Sequence, residues 1–364
     1  MQIEATMPDP LAERWAALRA DNPGLRIRQA ASELNVSELE LLLCREPGEV
    51  QPLKPEFPAM LETMKTVGEV MILARNESVV HEVTGVFAEF RTSSSGAMGL
   101  AVGQIDVRVF FRNWAHGFRV MEQVRSGNRE SLQFFDAHGQ GVQKIYRTDR
   151  TDTAGWQALL TRFLEATPVT PSLEPPRPPL NRVDRESVDA EALRRDWLAL
   201  KDTHHFNAML KRHNTDRLTA LELIGTDQAL RLDTPDADAA DESGYSVLER
   251  LLRQVSASQC PIMVFVGNPG IVQIFTGPVS RIVPTGPWVN VLDPGFNLHA
   301  NVRSISQWWR VRRPTTDGVV TSVEGYDAEG ELVLTLFGER KPGQREDERW
   351  QQEVQTLEST LVCN

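Results

Sequence analysis

The chain repeats itself. Residues 70–85, VMILARNESVVHEVTG, align without gaps on residues 262–277, IMVFVGNPGIVQIFTG. Met71 and Met263, Asn76 and Asn268, Val80 and Val272, Thr84 and Thr276, and Gly85 and Gly277 coincide at an offset of 192. Residues 131–146, SLQFFDAHGQGVQKIY, match residues 322–337, SVEGYDAEGELVLTLF, at Ser, Asp, Ala, Gly and Val, at an offset of 191. Between these blocks Ile105, Asp106, Val107 and Arg108 fall on Phe296, Asn297, Leu298 and His299 at the same offset. Collinear matches at nearly constant spacing define a tandem duplication of one unit of ~190 residues. Whatever architecture one half adopts, the other is expected to adopt it too.

The boundary lies in residues 166–190, ATPVTPSLEPPRPPLNRVDRESVDA, with six prolines between Pro168 and Pro179. Proline fixes φ and removes a donor, so neither a helix nor a central strand fits there, and an extended linker does. The expected organisation is an N-terminal repeat unit over 1–165, a Pro-rich linker over 166–188 and a C-terminal repeat unit over 189–364. Each half opens with helices, expected over 11–18, 26–34 and 37–43 in the first and 189–200, 206–212 and 217–223 in the second. Ser37 followed by Glu40 makes a capping-box pattern. The DAHG and DAEG segments read as hairpin turns, with Gly supplying φ > 0. Runs rich in Val, Ile and Phe between them read as strands. A Trp-containing helix closes each half, over 154–165 and 346–361. The predicted class is α+β: a tandem repeat of two similar units, each a large, mainly antiparallel β-sheet flanked by α-helices.

Composition narrows the function. The 364 residues carry a formal net charge of −11, with 41% hydrophobic and 24% charged residues. A general nucleic-acid or anionic-membrane surface needs a cationic excess that is missing. No apolar run approaches the ~18 residues of a membrane span. Residues 1–10 have neither the basic nor the apolar region of a secretory signal. Cys44, Cys260 and Cys363 form no disulfide framework, no Cys-x-x-Cys clip and no Cys-x-x-Cys-His attachment site, which points to a reducing compartment, the cytoplasm. Dinucleotide, Walker A, GxSxG and HExxH motifs are missing. Residues 25–43 have the outline of a helix-turn-helix. Their second helix, SELELLL, is acidic and apolar where base reading wants Arg, Asn, Gln or Lys, so a helical hairpin packed on the sheet is expected.

The candidate chemistry centres on Asp202-Thr203-His204-His205-Phe206, between two helical runs. Thr203 can cap the following helix. Adjacent histidines point about 100° apart on a helix, which suits a single axial metal ligand better than a chelating pair. Arg108 lies on a strand, IDVRVFF, where Asp106, Arg108 and Phe110 share one face. It can reach a pocket or simply pair with Asp106. Arg217, Arg312, Arg313 and Arg340 sit at element edges, and each alone reads as a surface charge. His81, His116, His138 and His213 read as structural or solvated. His299 is the repeat-mate of Arg108.

These residues lie within a collinear resemblance. DTHHF, IDVRVF, PIMVFVGN, GPWVNVLDPGFNLH, RRPTTDGVVTSVE and FGERKPG resemble the hemin-transport or hemin-degrading factors of bacterial haem utilisation, over nearly the whole chain. The resemblance implies a tandem α+β fold with haem b, held non-covalently, in a cleft of the C-terminal unit near its junction with the N-terminal unit. It implies His204 as the axial iron ligand, with the neighbouring His205 as the alternative. It implies Arg108 as the distal arginine, which would also act in any ring cleavage, and Phe110 as a wall of the pocket. Arg217, Arg313 (where the family often has Lys) and Arg340 would complement the two propionates. Asn207 departs from the family's DTHxFF pattern. The implied function is cytoplasmic haem binding, with haem received from an inner-membrane importer and passed to an acceptor such as a haem oxygenase. The alternative is an enzyme that opens the porphyrin with an external electron donor and releases iron. A second haem position would lie near His81 or His299.

Overall fold

The computed structural model describes residues 10–46, 48–124, 127–167, 170–232, 245–341 and 343–362, the side chains of His204 and Val362 excepted. The first half runs α1 (Pro10–Asp21), α2 (Ile27–Leu34), α3 (Glu38–Leu43), β1 (Val50–Pro52), α4 (Phe57–Thr63), β2 (Gly68–Arg75), β3 (Val79–Val86), β4 (Phe90–Thr92), β5 (Met98–Ala101), β6 (Asp106–Phe110), β7 (His116–Val124), β8 (Gly127–Phe135), β9 (Gly141–Thr151) and α5 (Thr153–Phe163). The second runs α6 (Ala190–Leu198), α7 (Phe206–Arg212), α8 (Arg217–Leu223), β10 (Ala229–Arg231), α9 (Val247–Ala257), β11 (Ile262–Asn268), β12 (Ile271–Gly277), β13 (Ile282–Thr285), β14 (Trp288–Asp293), β15 (Phe296–Asn301), β16 (Gln307–Thr315), β17 (Gly318–Tyr326), β18 (Leu332–Gly338) and α10 (Glu348–Val362). The order of helices and strands is the same in both halves, as the duplication requires. The strands build two nine-stranded sheets with antiparallel ladders.

Local chemistry sets the ends of these elements. Ser37 caps α3 by accepting from Glu40 N, and the Glu40 carboxylate accepts from Ser37 N at 2.7 Å, completing the capping box. Asp189, Asp216 and Ser246 cap α6, α8 and α9 by accepting from the backbone N–H three residues on. The DAHG and DAEG turns close the β8–β9 and β17–β18 hairpins, and Gly139 and Gly330 take φ of 77° and 85° there. The α2–α3 hairpin packs on a sheet: Leu39 and Leu42 join Phe118, Val120 and Phe135 of β7 and β8. Helices α4 and α9 lie outside the segments expected to be helical.

The chain divides into two compact units. Unit one is Met1–Ala74, Thr84–Arg177 and Asn268–Ile271; unit two is Arg75–Val83, Pro178–Gly267 and Val272–Asn364. The main division thus falls inside the proline-rich segment. Each unit also takes a short piece of the other half, and the two pieces are the tips of the β2–β3 and β11–β12 hairpins. In unit one, Gly270 O accepts from Phe110 N at 2.9 Å, and Asn268 Nδ2 donates to Val142 O at 2.9 Å. In unit two, Ser78 O accepts from Asn301 N at 2.9 Å, and Asn76 Nδ2 donates to Val333 O at 2.8 Å. Gly270 and Ser78, Phe110 and Asn301, and Val142 and Val333 are repeat-mates, so one bonding pattern is made twice. In unit two, β3 pairs with β15 from Val79↔Ala300 to Val83↔Phe296.

The linker is bound at both ends. In unit one Leu173 packs on the Leu39 cluster, and Glu174 N donates to Ala137 O at 2.8 Å. In unit two Val183 N donates to Asp216 Oδ2 at 2.8 Å. Residues 178–181 between them are exposed.

Asn76 carries a tip in place, its amide bonding Gly267 O (3.2 Å) and Val333 O while its carbonyl accepts from Ser78 N and Val79 N. Asn76→Ala is expected to lower unfolding free energy by about 1–3 kcal/mol in urea, because buried partners lose their bonds. Asn181→Ala, in the exposed segment, should change it by no more than about 0.5 kcal/mol.

Candidate functional site

The DTHHF segment folds as a short 3-10 turn, Thr203–His205, leading into α7. The His204 side chain lies outside the described residues. His205 is exposed and occupies the N-cap of α7 without a side-chain cap bond, so Thr203 opens the turn instead of capping the helix as expected. His205 borders a depression of about 250 Å³ together with Asp196, Lys201 and Arg212. His213 ends α7, its Nε2 3.0 Å from Asp196 Oδ2.

Phe206 anchors the next layer. Its buried ring meets Trp197 edge-on, with centroids 5.1 Å apart, and carries two guanidiniums. That of Arg313 lies 4.3 Å from the ring centroid and that of Arg217 lies 4.8 Å from it. Both reach one carboxylate, Glu324 of β17, which is fully buried. Arg313 Nη1 is 2.8 Å from Glu324 Oε1, and Arg217 Nη1 is 3.5 Å from Oε2. Ser322 Oγ donates to Oε1 at 2.8 Å, and the Tyr326 hydroxyl donates to Oε2 at 2.6 Å. Ser322, Glu324 and Tyr326 alternate along one strand, so all three share a face.

The electrostatics follow from the count. Two guanidiniums share one carboxylate, which leaves one positive charge in excess. Burial pushes the Glu324 carboxyl up, but Arg313 and Arg217 outweigh it and hold the group at about 2. Burial drives the Tyr326 phenol well above its ordinary range, with Glu324 adding to the effect. Arg217 is the first residue of α8, where the helix dipole disfavours a cation, so its place owes to Glu324 and Phe206. Arg313 is only 4% exposed, which corrects its reading as a surface charge. Its Nε and Nη2 are buried without a hydrogen-bond partner among the described residues. Such a cluster can take an anionic oxygen group.

Arg340 stands apart from this cluster, with Nη2 3.6 Å from Asp317 Oδ2. Arg108 and Phe110 belong to unit one, on β6. Val107 and Val109 are buried there, and Asp106, Arg108 and Phe110 share the more open face, as the alternation predicted. Arg108 contacts Asp106 through Nη1, which also donates to Ala101 O at 3.2 Å and Val107 O at 3.1 Å.

His81 is a core residue. It is fully buried, receives a bond from Gln273 Nε2 at 2.9 Å and packs against Phe296, its ring centroid 5.1 Å away. Burial lowers its pKa to about 3. Gln273 is its repeat-mate. His299 Nδ1 lies 2.7 Å from Asn290 Oδ1 on the neighbouring strand. His116 and His138 sit in β7 and the DAHG turn, and His138 Nδ1 bonds Pro175 O in the linker at 2.5 Å.

Sequence reasoning missed Glu324. A signal was present: Glu324 stands where the first half has Gln133, and Arg313 where it has Glu122. A carboxylate inside the apolar run VVTSVEGY demands cationic partners. In unit one the corresponding position is neutral, and Gln133 Nε2 bonds Ser131 Oγ at 3.1 Å; the buried carboxylate there is Glu130, three residues earlier, paired with Arg119 and Arg147.

A duplicated α+β frame with a buried arginine–carboxylate cluster against the DTHHF phenylalanine of its second half matches a known architecture. The chain belongs to the Haemin-degrading HemS.ChuX domain family, whose model matches residues 35–163 and again 215–357, one match per repeat. The hemin transport protein HemS of Yersinia enterocolitica is 35% identical over 357 residues, covering 98% of this chain and 100% of that protein. Among solved structures, the holo form of PhuS, a heme-binding protein from Pseudomonas aeruginosa, is 41% identical with a TM-score of 0.88, covering 96% of this chain and 99% of that one. The Escherichia coli O157:H7 heme degrading enzyme ChuS is 34% identical with a TM-score of 0.85, covering 95% and 98%. No helix among the described residues is long and apolar enough to cross a membrane.

Two acid-side slopes are expected. The Glu324 carboxyl is depressed from 4.5 to about 2, so its contribution is complete above pH 4.5 and is lost as pH falls toward 2. Glu324→Gln should cost about 3 kcal/mol at pH 7 in urea unfolding, and the deficit should shrink below pH 4.5. His81 is held neutral, its pKa lowered from 6.5 to about 3, so it removes stability as pH falls between these values. His81→Gln should flatten the stability–pH curve in that window.

Proposed function

We propose that this chain is a cytoplasmic haem-binding protein of bacterial haem uptake. It takes ferric haem b as non-covalent cargo after import and passes it to an acceptor such as a haem oxygenase. The observation that carries this reading is the Arg217–Arg313–Glu324 cluster on the ring of Phe206, the last residue of DTHHF. Its excess positive charge and the partnerless Arg313 donors suit a haem propionate. Similarity over 96% of the chain to a heme-binding protein supports it.

His204 is assigned the axial position on the iron, with His205 as the alternative imidazole; a neutral ring nitrogen is the donor such an iron takes. Arg217, Arg313 and Arg340 are assigned to the propionates. Arg108 is assigned the distal side, where a guanidinium can donate to water or hydroxide on the iron while keeping its charge. Phe110 supplies an aromatic wall. No Cys-x-x-Cys-His exists to attach the ring covalently.

A second reading has one specific support, the likeness to ChuS, described as a heme degrading enzyme. Under it the ring is opened with an external electron donor and iron is released.

Absorbance titration of ferric haem tests the first reading. Wild type should show a saturating one-to-one Soret transition, His204→Ala should alter it, and His205→Ala should leave it nearly unchanged. A featureless wild-type spectrum sinks the reading. Reducing the loaded protein with catalase present separates the two activities. A persistent Soret band that moves to an acceptor supports delivery, and its loss with bile-pigment absorption supports cleavage.

A further inference from the structure

Arg108 is held by one nitrogen. Nη1 takes the Asp106 carboxylate and the carbonyls of Ala101 and Val107, while Nε and Nη2 make no hydrogen bond among the described residues. An arginine on an open sheet face ordinarily samples many rotamers. Here three acceptors converge on one donor and fix the side chain. The local register shows what surrounds it. Leu100 lies across β5 from Arg108 and Met98 from Phe110, and both Met98 and Leu100 are exposed. Arg91, opposite Leu100 on β4, is paired with Glu89 at 2.7 Å. Asp106 is therefore the carboxylate that answers Arg108 on this face.

The duplication supplies a control. In the second half Asp106 and Arg108 become Asn297 and His299. Asn297 Nδ2 donates to Glu82 at 3.2 Å, and His299 turns to Asn290. The clamp belongs to the first half alone, alongside the arginine it holds.

We propose that Asp106 is a positioning residue for Arg108: by engaging Nη1 it turns the Nε–H and Nη2–H donors outward, toward an oxygen ligand on the bound iron. This rests on the haem-binding reading and on the distal assignment of Arg108. Asp106 touches neither iron nor porphyrin and acts only through the guanidinium.

The test is the pH midpoint at which iron-bound water becomes hydroxide in ferric, haem-loaded protein, read in the visible spectrum. Donation to hydroxide lowers that midpoint. Arg108→Ala is expected to raise it by about one pH unit, a tenfold loss of hydroxide affinity. Asp106→Ala should raise it by a comparable amount, and the double variant should add nothing further. Asp106→Glu, which keeps the carboxylate, should restore much of the shift and guards against a folding defect in the alanine variant. A wild-type midpoint in Asp106→Ala overturns the proposal, as do shifts that sum in the double variant. If Arg108→Ala is silent, the distal assignment fails and the proposal fails with it. Absence of a stoichiometric haem spectrum in wild type is a separate result, the failure of the haem-binding reading itself.

Discussion

Each compact unit depends on a hairpin tip that the other half of the chain provides. Backbone carbonyls at such a tip must find donors, and here the donors are Phe110 N for Gly270 and Asn301 N for Ser78. The asparagine amides of Asn76 and Asn268 close the same arrangement against Val333 O and Val142 O. A pattern made twice with repeat-related partners is a property of the duplicated unit. It explains why the units do not coincide with the halves of the sequence. Neither half contains everything its own unit requires.

On this shared frame the chemistry has diverged. Helices α3 and α8 both begin after an N-cap, Ser37 in one and Asp216 in the other. The first helical residue is Glu38 in α3 and Arg217 in α8, so the charge is reversed. Glu38 finds Lys144 on β9 at 2.5 Å, whereas Arg217 finds Glu324 on β17. Both units therefore bury an ion pair between a helix start and the sheet, with opposite polarity. An acid at a helix N-terminus is favoured by the dipole; an arginine there needs its own counter-charge. Each carboxylate faces two cations, Lys144 and Arg28 on Glu38 and two guanidiniums on Glu324.

Much of this was legible in the residues. Helices α7 and α8 fall where the pattern put them, the Ser37–Glu40 box caps α3, and the DAHG and DAEG turns close matching hairpins. These are local features, set by neighbours in sequence. Helix α9 was equally local, since Ser246 precedes Glu249 by three residues, the same capping signature as Ser37 and Glu40. It went unread in the gap between clearer segments. The tip exchange was not legible, because no periodicity in residues 70–85 says which carbonyls their asparagine will meet. Nor was the burial of Arg313: a charge at a strand end reads as solvated until its carboxylate is known to sit inside. The alternation of Asp106, Arg108 and Phe110 did predict a shared face, and the Asp106 contact was one of the two outcomes it left open.

The linker carries a different kind of consequence. Leu173 sits in an apolar seat of unit one, and Val183 is tied to Asp216 of unit two, so the mostly exposed proline-rich segment is held at these points. Residues 174–182 are all exposed, and 178–181 lie between the Arg177–Asp136 pair and the Arg182–Asp216 pair. Protein engineering should find two very different sites a few residues apart. Extra residues or a label inserted at 178–181 meet no packed partner and add only a slowly growing loop entropy. The same insertion a few residues earlier would lift Leu173 from its seat and uncover the α3 leucines beneath it.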